Sequence, residues 1–208
     1  MSRSTKSENK HPNPPSTNPP AGGAARKPNP TRPLAVSAPP CRLKVLSLGS
    51  GAVGKSCIIK RYCEERFVSK YIATIGIDYG VKPVSIDGVD VRVNFWDLSG
   101  HSEFFEIRNE FYKDVQAIML VYDSSLRESF DDLENWLAEA TKYGANVKEL
   151  PIALCANKAD KKRVVGEEEG RAFANSKNMM YFETSAATGA GINEMFDYLF
   201  QSALRRLR

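Results

Sequence analysis

The stretch GSGAVGKS, Gly49 to Ser56, fits the pattern G-x-x-x-x-G-K-[ST] in full. It constrains the fold more than any other part of the chain because of what flanks it. RLKVLSL (42–48) is the apolar run of a buried strand, and KSCIIKRYCEERF (55–67) reads as a helix. A strand, a glycine-rich turn and a helix, in that order, aim several backbone N–H groups into one concavity. The helix N-terminus adds its partial positive charge there. Such a loop holds phosphate. Lys55 is placed to reach β- and γ-phosphates, and the Ser56 hydroxyl is placed to meet Mg2+.

The later segments continue the alternation. YGVKPVSI (79–86) and VDVRVNFWD (89–97) alternate apolar and polar residues around Asp87-Gly88, the pattern of a hairpin whose tight turn needs positive φ. QAIMLVY (116–122) and PIALCAN (151–157) are short apolar runs, as expected of strands covered on both faces. Between them Phe130, Leu133, Trp136, Leu137 and Ala140 recur at helical spacing. EEEGRAFANS (167–176), MYFETS (180–185) and GINEMFDYLFQSAL (191–204) supply helix, strand and helix. The expected fold is α/β: a six-stranded, mostly parallel sheet with one antiparallel edge strand and helices on both faces.

Residues 1–40 are of a different kind. They hold 10 of the 12 prolines and few large apolar side chains, so they predict a disordered tail ahead of a domain at 41–208. The tail carries a net charge of +5 from Arg3, Lys6, Lys10, Arg26, Lys27 and Arg32 against Glu8, while the whole chain is +4. The basic balance therefore sits in the tail, and a nucleic-acid-binding domain is not implied. The tail could make a weak electrostatic contact with anionic lipid or protein, but a solvated spacer is the simpler expectation. No apolar run approaches the about 20 residues that span a bilayer. No signal peptide, myristoylation site or prenylation cysteine is read, so a membrane is expected only through a partner or weakly by the tail. The cysteines, 41, 57, 63 and 155, show no metal-ligand spacing. Three fall in segments read as buried, which suits reduced, structural thiols.

Four more stretches bear on the ligand. Thr74 lies in a polar loop after the first helix. Asp97 ends a strand and is followed by Gly100. Asn157, Lys158 and Asp160 form NKAD after another strand, and Ser185 and Ala186 follow the last in ETSA. In an open parallel sheet, ligands bind beyond the carboxyl ends of the strands, where all of these fall.

This ordered set resembles the Ras superfamily of small GTPases, in its Rab-like branch, over all of 41–208. The resemblance implies a P-loop NTPase fold of the Ras-like type, GTP or GDP as ligand, and Mg2+. It implies that Gly49, Ser50, Gly51, Ala52, Val53, Gly54 and Lys55 hold the phosphates, with Cys57 and Ala187 among the nucleotide contacts. Ser56 and Thr74 would ligate Mg2+, with Asp97 holding it through water. The Gly100 N–H and Thr74 would sense the γ-phosphate, and Lys55, Thr74, Gly100 and His101 would make up the catalytic set. Phe67 would pack on the base edge, Asn157 and Lys158 would frame the base, and the Ala186 N–H would meet guanine O6. Asp160 would accept from guanine N1–H and the 2-amino group, donors that adenine lacks, so GTP is favoured over ATP by pairing chemistry as well. An ATP-using P-loop kinase is disfavoured on the same ground.

KSCIIKRYCEERFVSKYIATIGIDYGV, RNEFYKD and YFETSAATGAGINEMF are similar to the Rab-and-DnaJ-domain (RBJ) subfamily. The His-Pro-Asp of a J domain is absent, since the only His-Pro, His11-Pro12, is followed by Asn13. The resemblance implies a monomer in the cytoplasm, with cilium, flagellum or nucleus as further locations. It also implies effectors and regulators at Tyr79, Trp96 and Phe111, between switch loops at 67–81 and 99–113. Phe104, Phe105 and Ile107 make the second loop unusually apolar.

His101 follows Asp-x-x-Gly where most Ras-like proteins have the Gln that orients the attacking water. Three readings stand. His101 orients water as Gln does, as translational GTPases use Asp-x-x-Gly-His when a partner pushes the His into the site. It leaves the protein nearly inert and GTP-bound. Or it is a tolerated loop residue. A metal-ligand role fits poorly, because 41–208 holds no second His and Mg2+ prefers oxygen. Very slow intrinsic turnover is the expectation. The small Gly51 and Ala52 are read as leaving room for an arginine supplied from outside.

Overall fold

The computed structural model describes residues 41–70 and 72–208. The expected tail lies outside the described residues.

Strand β1 (Cys41–Leu48) leads through the glycine-rich loop into helix α1 (Lys55–Glu64). Strands β2 (Ile77–Ile86) and β3 (Val89–Leu98) form the hairpin, with Asp87 and Gly88 at φ 50° and 75°, the pair of positive values a two-residue turn demands. After a segment of short turns holding α2 (Phe105–Arg108) come β4 (Ala117–Asp123), α3 (Arg127–Asp131) and α4 (Leu133–Lys142). β5 (Ile152–Asn157), α5 (Glu167–Ser176), β6 (Met180–Glu183) and α6 (Ile192–Leu207) complete the chain.

The sheet has six strands in the order β2-β3-β1-β4-β5-β6. β2 pairs antiparallel with β3, and every other pairing is parallel. Alternate residues of β1 build two cores. Leu43 and Val45 face Ile58 of α1 and Phe196 and Phe200 of α6. Leu46 and Leu48 face Leu133, Trp136 and Leu137 of α4 and Ala174 of α5. All seven residues of β4 and all six of β5 are buried, as their unbroken apolar runs require. Among the described residues, no helix is long and apolar enough to cross a membrane.

Three local expectations are corrected. The first helix stops at Glu64 and does not reach Phe67: Glu65 turns left-handed, at φ 55°, and its N–H caps the Arg61 carbonyl. That break frees Phe67 for the loop. The helical run from Phe130 to Ala140 is two helices, with the break at Asp132. Among the cysteines only Cys155 is buried, and Cys41, Cys57 and Cys63 are half-buried, because the α1 pair sits at the margin of the core.

Candidate functional site

Five parallel strands end on one side of the sheet, and the expected residues meet there. Two adjoining cavities of about 240 and 270 Å³ share Ala52, Cys57 and Val68 as their common wall. The first is lined by Gly51, Lys55, Ser56, Thr74, Gly100 and His101. The second is lined by Phe67, Asn157, Lys158, Asp160, Ala186 and Ala187.

In the first cavity, Lys55 Nζ donates to the carbonyls of Gly49 (2.7 Å) and Ser50 (3.1 Å), which folds the ammonium back over the loop. Burial pushes it down to about 8; the Asp97 carboxylate opposes that and the Arg108 guanidinium adds to it. Three oxygens from three elements converge beside it. Ser56 Oγ lies 2.9 Å from Thr74 Oγ1 and donates to Asp97 Oδ2, and Thr74 Oγ1 lies 3.5 Å from the same carboxylate oxygen. Ser47 Oγ, at 2.5 Å, holds the other oxygen of the buried Asp97. An all-oxygen set with one carboxylate suits a hard cation such as Mg2+.

Gly100 packs on the phosphate loop itself. A Cβ there would stand 2.3 Å from the Ser50 carbonyl carbon and 2.4 Å from Gly51 N, so only glycine lets the two backbones touch. His101, half-buried, then lays its ring on Gly51. A Cβ on Gly51 would be 2.8 Å from Cε1 and 3.1 Å from Nε2 of the imidazole. This corrects one expectation. The smallness of Gly51 does not leave open room beside the loop, because the His101 side chain takes it.

The second cavity is cross-braced. Asn157 Nδ2 donates to Val53 O (2.8 Å), and its Oδ1 receives Ala186 N and Thr184 Oγ1, both at 3.3 Å. Lys158 Nζ reaches Ala52 O (2.8 Å) and pairs with Asp123 (2.6 Å). Both Lys158 (φ 60°) and Ala52 (φ 61°) adopt the left-handed backbone, the kind of local strain that accompanies a built site. Ser185 Oγ donates to Asp160 Oδ1 at 2.5 Å and so fixes the carboxylate at the cavity wall.

Ser50 and Val53 belong to the loop through their backbones, and their side chains turn away from both cavities. Ser50 Oγ turns away to Asp132 (2.7 Å), and the Val53 side chain is core. The aromatic trio forms a ladder on the sheet, with ring centres 4.6 Å apart for Tyr79–Trp96 and 4.9 Å for Trp96–Phe111. Phe105 is drawn inward onto Tyr143, whereas Ile107 stays exposed.

Two arginines escaped the sequence reading. Arg61 of α1 donates to the carbonyls of Ala186 (2.9 Å) and Ala187 (2.5 Å), tying the helix to the second cavity's loop. Arg108 is buried in the apolar 104–112 segment and pairs with Glu139 of α4. A lone cation amid FFEIRNEFY, and Glu139 next to the buried Ala140 of α4, were the available signals.

Residues 44–205 match the model of the Ras family. Among curated relatives, DnaJ homolog subfamily C member 27 of Danio rerio is 57% identical over 166 residues, which cover 77% of this chain and 61% of that protein. The proteins of the same name from Rattus norvegicus and Homo sapiens are 54% and 55% identical over the same coverage. The chain thus spans about three fifths of the length of the curated relatives it matches. With a matching family model over most of its length, a six-stranded sheet with the expected single antiparallel edge strand and a phosphate loop at the strand ends, the chain belongs to the Ras family of small GTP-binding switches.

Proposed function

We propose that the chain binds GTP or GDP together with Mg2+, hydrolyses GTP slowly, and signals through the loops at 67–81 and 99–113 to protein effectors. The single observation that carries this reading is the pair of adjoining cavities, one basic and hydroxyl-lined, the other framed by Asn157, Lys158 and Asp160. Their contents match the two ends of a nucleoside triphosphate. Asp160 accepts from guanine N1–H and its 2-amino group, Phe67 covers the base edge, and Lys55 neutralises phosphate charge. Ser56, Thr74 and Asp97 are the residues that would hold Mg2+, which supplies charge stabilisation at the phosphates.

In hydrolysis a water oxygen bonds to the γ-phosphorus, the bond to the bridging oxygen breaks, and GDP leaves; the water's proton passes to the released phosphate. Protein groups position and stabilise more than they react. Gly100 N–H and Thr74 would contact the γ-phosphate, and His101 follows Asp-x-x-Gly, the sequence position at which Ras-like relatives carry the water-orienting Gln. In Ras itself, a relative bearing Gln there, intrinsic turnover is only about 10⁻⁴ s⁻¹. A second reading, a GTP-locked binding scaffold, draws support from His101 filling the space over Gly51 through which an activator's arginine would approach.

Two experiments test this. Asp160→Asn removes an acceptor shared by two donors, worth about 3–6 kcal/mol for a charged partner. GTP affinity is expected to fall at least a hundredfold while xanthosine triphosphate binds better, and unchanged GTP affinity would overturn the base assignment. Single-turnover hydrolysis of bound GTP, wild type beside His101→Ala and His101→Gln, separates switch from scaffold. A slower Ala variant makes His101 a participant; equal rates for wild type and Ala with a faster Gln variant make it a brake.

A further inference from the structure

The Arg108 guanidinium spends every face on a partner. Nε and Nη2 donate to the two carboxylate oxygens of Glu139, at 2.6 and 2.7 Å. Nη1 donates to the His101 carbonyl at 2.8 Å and reaches the Ser99 carbonyl at 3.4 Å. The plane lies over the Trp136 ring, 4.5 Å from its centre, and 5.5 Å from that of Phe105. Tyr112 Oη adds a 2.5 Å bond to Glu139 Oε1. One guanidinium therefore joins the backbone on both sides of Gly100 to helix α4.

The same helix holds the phosphate loop. Asp132 Oδ2 receives Ser50 Oγ at 2.7 Å and Trp136 Nε1 at 3.0 Å. Asp132 stands at the N-cap of α4, four residues before Trp136 and seven before Glu139, so all three point to one side of it. The contacts close a ring: His101 carbonyl, Arg108, Trp136, Asp132, Ser50, and back through the packing of Gly100 and His101 on Ser50 and Gly51. A buried ion pair gains little net stability over an apolar packing of the same volume, since desolvation offsets its attraction; what it fixes is geometry. Here the geometry fixed is that of the residue after Asp-x-x-Gly.

We propose that Arg108, held by Glu139 and Tyr112, is the positioning residue for His101. It pins the 99–101 backbone so that the imidazole rests on Gly51. Through that placement Arg108 sets the rate of GTP turnover. Arg108 lines neither cavity, and its hydrogen bonds beside the site go to the Ser99 and His101 carbonyls. The effect on turnover rests on the GTPase reading above; the placement of the ring does not.

The test uses the full chain with Arg108→Lys, which cannot span both carboxylate oxygens, and with Glu139→Gln and Tyr112→Phe as milder variants should the first fail to fold. The chain has two histidines, so the His101 ring signal in proton–carbon NMR is assigned by its loss in His101→Gln. In nucleotide-free and GDP-loaded protein, the His101 Cε1 resonance is expected to shift and narrow in the clasp variants, as a ring released from Gly51 would. In single-turnover assays the clasp variants should alter hydrolysis by up to about a hundredfold, the scale of an angstrom-sized misplacement. That change should vanish when His101→Ala is already present. An unmoved His101 resonance, or an equal change of rate with and without His101, overturns the proposal. A moved resonance in a protein that binds no GTP upholds the positioning and overturns the nucleotide reading instead.

Discussion

The two ends of the site are built differently. The 157–187 end is made of strand termini and the loops directly after them, braced by Asn157, Lys158, Ser185 and Arg61 across elements far apart in sequence. The other end is mixed: Lys55 and Ser56 start α1 and Asp97 closes β3, while the rest comes from segments without long regular structure. Thr74 and Gly100 come from loops, and the oxygens of Ser56, Thr74 and Asp97 are satisfied largely by one another. One end is a braced socket, while the other, on the proposed reading, would exchange these mutual bonds for phosphate and cation. A family of switches needs that division: constant grip on the base, and a loop state that answers to one phosphate.

Breaking the loop end where Gly100 lies against the phosphate-loop backbone should give the largest effect. Gly100→Ala forces a Cβ against backbone that cannot rotate away. Overpacking of that kind costs about 1–3 kcal/mol. The cost should fall on GTP more than GDP, because the displaced residue is the one expected to reach the γ-phosphate. Equal losses for both nucleotides in competition titrations would show that Gly100 serves the fold alone.

The socket end should respond in rate and not in preference. Arg61→Ala removes two bonds to the Ala186 and Ala187 carbonyls, each worth about 1 kcal/mol net. GDP should leave roughly tenfold faster, with the ratio of GTP to GDP affinity unchanged. Release of a fluorescent GDP analogue measures this. A variant that instead shifted the ratio would mean that the two ends are not separate.

This difference also explains what could be read from the sequence. The glycine-rich turn, the hairpin at Asp87-Gly88 and the two all-apolar strands are local patterns, and local patterns place the strand ends where ligands bind. Asp97, Asn157 and Ser185 were legible for that reason. The braces were not. Arg108 finds Glu139 across 31 residues and Ser50 finds Asp132 across 82, and no spacing rule links such partners. The same holds for His101 on Gly51, where a small residue suggested open space and the fold put a ring in it.

Gly51→Ala sharpens the comparison from the loop side. The new methyl would meet the end of a side chain that can swing aside, not a backbone, so stability should drop by less than in Gly100→Ala. The His101 ring must move. Thermal unfolding within about 1 kcal/mol of wild type together with a displaced His101 resonance is the expected outcome; an unshifted resonance would mean that the ring does not rest on Gly51.

The smallest effect belongs to the socket. Burial pushes the Asp123 carboxyl up, but the Lys158 ammonium and two bonds from Ser125 more than reverse this and leave it below the usual carboxylate range. A carboxyl depressed in the folded state adds stability that is present above its unfolded value near 3.9, and that is lost as pH falls through the lower, folded value. Asp123→Asn should therefore cost about 1 kcal/mol at neutral pH, the scale of a partly exposed pair. The gap to wild type should close only well into acid, below the ordinary carboxylate range. Lys158 would keep its bond to Ala52, so the base frame should loosen and not collapse. If GDP release accelerates more in Asp123→Asn than in Arg61→Ala, the main brace of the socket is the Lys158 pair, and the latch from α1 is secondary.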